Sequence, residues 1–383
     1  MNRVPVSPQL VTWARERAGL DAPVLRARFP KLAAWEAGEL QPTLRQLEDF
    51  ARAVHVPIGY LFLPEPPPER LPVPDFRRGA ASGVLRPSPD LLDTLYLCQQ
   101  RQDWFCDYAR LHGLAQLDFV GSACIEDDPL RVAEAMREAL SLEVEERMQL
   151  ATWADALRQL MAKAEDAGVL VMASSIVGSN THRKLDVDEF RGFALADSRA
   201  PLVFLNAADS RSAQMFTLGH ELAHLWLGNS GVFDVEAGLV PKEGTERWCN
   251  AAAAELLVPM RALLTEFRGD SPLLEEIQRL ARVFKVSTLV ALRRLFEAGQ
   301  VSEGTLWSTY SEELERLRAL EPSLSRGGDF YRTLGTRTGK RFARAVVSSA
   351  LEGQTLLKDA FRMLGVRKVG TFYEAAREFE VLL

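Results

Sequence analysis

Cysteine, long apolar runs and repeated segments are all scarce in this chain of 383 residues, and each absence excludes a class of protein. Because the cysteines form no C-x-x-C pair, we predict free thiols in a reducing cytoplasm rather than a disulfide scaffold. No apolar run reaches transmembrane length, and the N-terminus lacks the charged-then-apolar pattern of a signal peptide. The four cysteines are Cys98, Cys106, Cys124 and Cys249.

The overall composition is that of an ordinary globular protein. Hydrophobic residues make up 47% of the chain and charged residues 26%, so a buried core is expected. The length predicts two or three domains rather than one. A net charge of −6 argues against general affinity for nucleic acid, although it permits local basic patches.

Histidine is also scarce, yet two of the five histidines lie four residues apart, in His220-Glu221-Leu222-Ala223-His224. The surrounding apolar residues predict a buried helix, on which His220 and His224 share one face and can bind one zinc ion. Glu221 then lies beside the metal, where it can take a proton from the attacking water. The alternative is a core helix whose two histidines are hydrogen-bonded inside the protein.

A second predicted helix supplies the third ligand that a zinc hydrolase needs. It covers the alanine-rich stretch 245–258, with Thr245 as its N-cap and Pro259 as its stop. Glu246 and Asn250 are spaced i, i+4, so we predict Glu246 as the third ligand and Asn250 as the partner that orients a histidine. Glu255 lies on the opposite face of that helix, and Cys249 is more typical of a packed apolar residue.

These segments together resemble the ImmA/IrrE-type metallo-endopeptidase family. The resemblance rests on the HELAH helix, on Glu246-x-x-Cys249-Asn250 with the Ala-Ala-Glu-Leu-Leu-Val-Pro that follows, and on two upstream segments at 191–193 and 201–206. It implies a zincin-like domain with a glutamate as third ligand, the gluzincin arrangement. It also implies intracellular cleavage of a DNA-binding repressor or an antitoxin.

Three further polar residues are candidates for contact with the substrate. His182 and Arg183 lie in a predicted polar loop, where they could donate hydrogen bonds to an oxyanion; the alternative, which the polar sequence favours, is a solvated loop without that role. Asn206 ends the apolar run that begins at Pro201, which predicts a strand. If that strand is at a sheet edge, a peptide substrate could pair with it; the alternative is a core strand.

The first sixty residues resemble a Cro/repressor-type (XRE) helix-turn-helix domain. In the segment from Trp35 to Ala51, the pattern predicts Trp35 and Leu47 in the core, Gly38 ending a helix and Pro42 opening the next. The helix and turn at 23–31 are shorter than the family pattern, and eight Lys/Arg face six Asp/Glu in residues 1–60. DNA binding by this domain and a role in docking or dimerisation therefore both remain open.

The C-terminal part of the chain is basic. Residues 326–368 hold ten Lys/Arg and three Asp/Glu, with aromatic residues between them, which suits DNA, RNA or an acidic protein as partner, or a solvated basic face. A further helix-turn-helix pattern at 281–295, with Ser287 as N-cap, fits either a second such motif or part of the domain core. The whole arrangement is similar to chromosomal regulators encoded beside PIN-like nuclease toxins.

The predicted fold is α+β and mostly helical, with a zincin-like peptidase core around a small β-sheet. The predicted segments are a helix-turn-helix-like domain (1–63), a proline-rich linker (64–78), a helical support (79–165), the zinc metallopeptidase core (166–300) and a basic helical C-terminal domain (301–383). Two functions fit them. One is a cytoplasmic zinc endopeptidase acting on a repressor, antitoxin or toxin; the other is a zinc-containing antitoxin or regulator, with a homodimer possible in either case. Glu221 favours the first, because a structural zinc site needs no general base.

Overall fold

The computed structural model describes residues 3–20, 22–67, 71–76, 87–233, 244–319 and 330–382. The chain divides into two compact units, residues 1–72 with 82–93 and residues 73–81 with 94–383. Helix accounts for 59% of the protein and the strands form one small mixed sheet and a hairpin, which confirms the predicted α+β class.

The smaller unit is a bundle of short helices around an apolar core. Its helices are α1 (Pro8–Arg17), α2 (Ala22–Arg28), α3 (Leu32–Glu36), α4 (Leu44–Ala53) and a 3₁₀ helix (Ile58–Phe62). Trp35 and Leu47 are buried, as the sequence predicts. Thr43, rather than Pro42, caps α4: its hydroxyl accepts from the Gln46 N–H while the Gln46 side chain accepts from the Thr43 N–H.

The remaining helices belong mostly to the larger unit. In chain order they are α5 (Pro89–Leu111), α6 (Pro129–Ala139), α7 (Val144–Met148), α8 (Trp153–Asp166), α9 (Arg211–Trp226), α10 (Gly244–Leu257), α11 (Met260–Glu266), α12 (Leu273–Phe284), α13 (Thr288–Glu297), α14 (Glu303–Ala319), α15 (Phe330–Thr338), α16 (Lys340–Leu351), α17 (Leu357–Leu364) and α18 (Val369–Glu378). None of the described helices combines the length and apolar character that crossing a bilayer requires.

Seven strands are present among the described residues. They are β1 (Asp75–Phe76), β2 (Leu170–Ser174), β3 (Ile176–Val177), β4 (Asn180–Lys184), β5 (Gly192–Leu195), β6 (Leu202–Asn206) and β7 (Gly231–Phe233). Five of them form a sheet in the order β1-β7-β5-β6-β2, while β3 and β4 form a separate antiparallel hairpin. The pairs β2–β6 and β1–β7 are parallel, and β5 is antiparallel to both of its neighbours.

The position of β6 decides between the two predictions for residues 201–206. This strand pairs with β2 on one side and with β5 on the other, and all five of its residues are buried. The edge-strand alternative is therefore wrong, because both sets of backbone groups are already used within the sheet. A peptide substrate cannot pair with β6 without breaking the sheet.

Part of the predicted linker belongs to the same sheet. Asp75 and Phe76 form β1, whose backbone pairs with Val232 and Phe233 of β7. Residues 68–70 and 77–78 of that linker, and residues 326–329 of the predicted basic tract, lie outside the described residues. The predicted domain boundaries otherwise stay predictions.

The second helix-turn-helix pattern, at 281–295, completes the core of the larger unit. Lys285 ends α12 in the left-handed conformation, and Ser287 caps α13 by accepting from the Val290 N–H. Most of α13 is buried, including Leu289, Val290 and Leu292. Because no face of α13 is free for DNA, the interpretation as part of the core is the correct one.

Candidate metal centre

Helix α9 carries the HELAH motif through the middle of the larger unit. Ser210 starts the helix by accepting from the Ala213 N–H, and every residue from Gln214 to Trp226 is buried. A helix that is enclosed on all sides must satisfy its polar side chains internally. His220, Glu221 and His224 are each 0% exposed, so their groups must find partners in the protein or in a bound ion.

Helix α10 packs against α9 and is held at its C-terminal end by three arginines. Arg137 donates to the Glu255 carbonyl (2.7 Å), Arg147 to the Leu257 carbonyl and Arg294 to the Val258 carbonyl (3.0 Å). The last carbonyls of a helix have no partner within the helix and carry its negative dipole end, so cations are favoured there. These contacts fix the helix that carries Glu246 and Asn250.

The three sequence-predicted ligands meet between these helices. The Nε2 atoms of His220 and His224 are 3.0 Å apart, and the Glu246 carboxylate lies 3.2 Å from the first and 3.3 Å from the second. A zinc ion at its usual ligand distance separates tetrahedral ligand atoms by about 3.3 Å. His220, His224 and Glu246 therefore fit three vertices of such a site, and they are buried.

Asn250 fixes the orientation of His220, as its spacing from Glu246 predicts. Its Oδ1 atom lies 2.8 Å from Nδ1 of His220 and can only accept, so Nδ1 carries the proton. Nε2 then presents its lone pair toward His224 and Glu246, which is the form that binds metal. For His224, burial lowers the pKa to about 4, which also keeps the ring neutral.

Charge favours Glu246 over the two rival ligands. Burial would raise the pKa of Glu246, but the adjacent imidazole rings of His220 and His224 outweigh it and hold the pKa at about 2. Burial raises the pKa of the Cys249 thiol well above its ordinary value, with further contributions from Glu246 and Glu221, so the thiolate form is disfavoured. Glu255 instead pairs with Arg294 at the far end of α10.

Glu221 differs from the other residues of the centre in its hydrogen bonding. Both of its carboxylate oxygens are buried, and among the described residues they accept no hydrogen bond. Burial, together with the negative charge of Glu246, raises the pKa of Glu221 well above its ordinary value. A buried carboxyl group without a protein partner is costly, so it indicates a role in proton transfer rather than in folding.

Gly192, the first residue of β5, lies against the Glu221 side chain, a position that the sequence analysis does not assign to it. A Cβ atom at this position would lie 2.7 Å from Cγ2 of Thr217, 3.0 Å from Oε1 of Glu221 and 3.0 Å from the Phe204 carbonyl. Glycine is therefore needed for β5 to pass directly over the general-base candidate. The sequence contains a sign of this contact, because an isolated glycine in a strand often marks a close approach of the backbone.

No described contact joins His182, Arg183 or Asn206, the three candidates for binding the substrate, to the candidate metal centre. The loop predicted for His182 and Arg183 is wrong: both residues lie on strand β4, in the hairpin with β3, whose tip residue Ser179 lies beside Gly365. Asn206 is fully buried at the end of β6, where its amide donates to the Asp186 and Phe190 carbonyls and accepts from the Ala208 N–H. Its hydrogen-bonding groups stabilise the turn after the strand.

Two segments of the chain match known families. Residues 164–296, which contain all of these site residues, match the IrrE N-terminal-like domain, Peptidase_M78. The candidate metal centre lies in a segment that matches an IrrE-like domain. This match supports the resemblance to the ImmA/IrrE family and indicates a function of the metallopeptidase type. Residues 338–378 match a domain of unknown function, DUF8813.

Neither family match covers the smaller N-terminal unit, so its assignment as an XRE domain stays a prediction. A comparison of the chain with curated proteins gives no match.

Proposed function

We propose that this protein is a zinc-dependent endopeptidase. The observation that carries the proposal is the unpartnered, fully buried Glu221 carboxylate beside the cluster of His220, His224 and Glu246. Three protein ligands leave a fourth position open, which is the arrangement of a catalytic rather than a structural zinc site. A structural site would have no use for a buried base at this point.

Each residue of the site has its own role in the proposed reaction. A zinc ion held by His220, His224 and Glu246 would polarise a peptide carbonyl and acidify water. Glu221 accepts the proton from the attacking water and delivers it to the leaving amine, a cycle that its raised pKa suits. Asn250 keeps the His220 ring in the tautomer that can bind metal.

The proposed substrate is a repressor, antitoxin or toxin protein within a stress or toxin–antitoxin response. The support for this class is the match to the IrrE-like domain and the resemblance of the N-terminal unit to XRE domains. In this proposal the N-terminal unit contacts DNA or the substrate, and a PIN-like nuclease is a candidate bound partner. A homodimer and a cytoplasmic location complete the proposal.

A second function is favoured by the burial of the centre. Because His220, Glu221 and His224 are fully enclosed, a substrate needs a local opening before its carbonyl can reach them. A zinc-containing antitoxin or transcriptional regulator, which acts by binding a PIN-like nuclease or DNA and cleaves nothing, would need no such opening.

Two variants test the proposal, one at the proposed general base and one at a proposed metal ligand. Glu221→Gln is expected to bind one zinc ion per chain, as the wild type does, and to lose proteolysis of any co-purified partner. His220→Ala is expected to lose the zinc and part of the domain's stability, because metal binding is linked to folding. Persisting proteolysis in Glu221→Gln, or full zinc content in His220→Ala, would contradict the assigned roles.

A further inference from the structure

The end of the chain contains a helix-turn-helix outside the IrrE-like domain. Helix α17 is followed by the four residues Gly365 to Lys368, and α18 begins at Val369. Gly365 adopts the left-handed conformation (φ 70°), and the Val366 N–H closes the turn by donating to the Phe361 carbonyl at 3.0 Å. Two helices joined by a turn of three or four residues with a glycine are typical of this motif.

The motif has a core of its own. Its buried residues come from both helices and from the turn, and the rings of Phe361 and Phe372 lie 5.5 Å apart. Helix α16 packs against both α17 and α18, which makes a three-helix unit within the region that matches DUF8813. The buried residues of the motif are Ala360, Met363, Leu364, Val366, Phe372, Ala375 and Ala376.

The opposite face of α18 is exposed over its first turns. Lys368, Val369, Gly370 and Tyr373 are all exposed, with Val369 at 53% and Tyr373 at 39%. These positions, at the start of the second helix, are the ones that meet base edges in DNA-binding helix-turn-helix proteins. An apolar residue and an aromatic ring at such exposed positions have no role in the core.

The charge of this surface differs from that of the whole chain. From Leu357 to Glu378, the span of the motif, there are five Lys/Arg and three acidic residues, although the chain carries a net charge of −6. Asp359 is half-buried and pairs with Arg362 at 3.3 Å, while Glu374 and Glu378 are exposed in the second half of α18. Four of the cations are exposed on α17 and in the turn before α18: Lys358, Arg362, Arg367 and Lys368.

The other two helix-turn-helix patterns of the chain are less suited to DNA. Helix α13 is mostly buried in the IrrE-like domain and offers no free face. Helix α3 of the N-terminal unit has only five residues, which is less than one and a half turns. Helix α18 has ten residues, and its first turns expose Val369, Gly370 and Tyr373; Glu374, beyond them, accepts from the Tyr331 hydroxyl.

We propose that the helix-turn-helix of α17 and α18 binds double-stranded DNA, with α18 in the major groove and the four exposed cations on the phosphates. The major groove of B-form DNA is wide enough for an α-helix, and its base edges face outward there. Phosphate contacts by lysine and arginine supply most of the sequence-independent affinity. This activity goes beyond the proposed peptidase and does not depend on it.

The test measures binding of the full-length, zinc-loaded protein to a fluorescein-labelled random duplex of about 30 base pairs, by anisotropy between about 50 and 200 mM salt. The double variant Arg367→Glu/Lys368→Glu is expected to weaken binding at least about tenfold and to lower the slope of log Kd against log salt by about two. Both side chains are exposed, so circular dichroism should show an unchanged fold.

The matched control makes the same charge change in the IrrE-like domain, at Arg261→Glu/Arg282→Glu, two exposed positions of α11 and α12. This variant is expected to bind DNA like the wild type. Absence of binding by the wild type, or a loss confined to the Arg261→Glu/Arg282→Glu variant, would overturn the proposal.

A second pair of variants tests the placement of α18. Lys368→Glu, at the start of the helix, is expected to weaken binding much more than Arg377→Glu, in its last turn, although both side chains are exposed. Equal losses would show a diffuse basic patch and contradict the placement of α18 in the major groove.

Two other polyanions test which partner is bound. Equal affinity for a duplex RNA of the same sequence would contradict the placement of α18, because the major groove of A-form RNA is too narrow for a helix. Displacement by polyglutamate at equal charge would instead indicate an acidic protein partner.

Discussion

At the scale of single residues, spacing in the sequence predicts which side chains meet in the candidate metal centre. The i, i+4 pairs His220–His224 and Glu246–Asn250 each lie on one helix face, and the structure brings their groups to within 3.3 Å across the two helices. What spacing cannot predict is the surroundings that tune these groups. The burial that raises the pKa of Glu221 depends on the packing of the sheet over α9, and no local pattern encodes that packing.

The first residue-scale prediction concerns Asn250→Ala. Without the amide oxygen, the His220 ring loses the contact that fixes its tautomer and orientation, so zinc affinity should fall by about 10- to 100-fold. A competition titration with a fluorescent zinc chelator measures this change. Asn229→Ala, an exposed position just beyond α9, is the control and should bind zinc as the wild type does. Equal affinity in both variants would mean that Asn250 does not support the site.

The second residue-scale prediction concerns Gly192→Ala. The added methyl group would meet Thr217, Glu221 and the Phe204 backbone at 3.0 Å or less, so we expect a destabilisation of about 1–3 kcal/mol. Thermal unfolding followed by circular dichroism measures it as a lower midpoint. Gly304→Ala, whose Cβ would meet no atom within 4 Å in helix α14, should keep or raise the midpoint. A Gly192→Ala midpoint equal to that of the wild type would contradict the close approach of β5 to Glu221.

At the scale of helices and strands, the sequence predicts where the long apolar elements begin and end, but it does not predict which elements pack beside them. Helix α10 begins at Gly244, one residue before the predicted cap Thr245, and ends at Leu257, two residues before the predicted stop at Pro259. Strand β6 exists where expected, but its place between β5 and β2 follows from pairing with distant strands, which sequence periodicity does not report. The same holds for β1, where two residues of a proline-rich linker become part of the sheet.

The contact between α8 and α16 yields a prediction about pH. Glu165, near the end of α8, accepts from the Arg341 N–H at 3.1 Å in the first turn of α16. Burial raises the pKa of Glu165 to about 7, against the backbone hydrogen bonds from Arg341 and Lys340. A folded-state pKa above the unfolded value means that the folded protein holds the proton longer. This group therefore lowers stability as pH rises from about 4.5 to about 7, by up to about 3 kcal/mol.

Glu165→Gln should remove this contribution. The stability of the variant relative to the wild type is expected to increase as pH rises from 5 to 7, because glutamine has no proton to lose. Unfolding midpoints of both proteins across this range measure the difference. Asp166→Asn, at the adjacent exposed position, is the control and should follow the wild type. A constant difference between Glu165→Gln and the wild type would contradict the raised pKa.

At the scale of the whole molecule, the chain combines an IrrE-like domain with a smaller N-terminal unit and a C-terminal DUF8813 region. The sequence predicts the existence of these parts from composition and motifs. It does not predict how the C-terminal region packs on the IrrE-like domain. There α15 and α16 contact β2, and Arg101 of α5 donates to the Met363 carbonyl at 2.9 Å. Such contacts join residues hundreds of positions apart, so no local pattern reports them.

The most direct test of peptidase activity compares cells that express the tagged wild type with cells that express Glu221→Gln. Each protein is purified with its partners, and both samples are searched for new protein N-termini by mass spectrometry. We predict a partner that is cut in the wild-type sample and intact in the Glu221→Gln sample, because the variant keeps the metal ligands and lacks only the base. A partner that both proteins hold uncut would contradict the peptidase assignment and support a regulator that acts by binding.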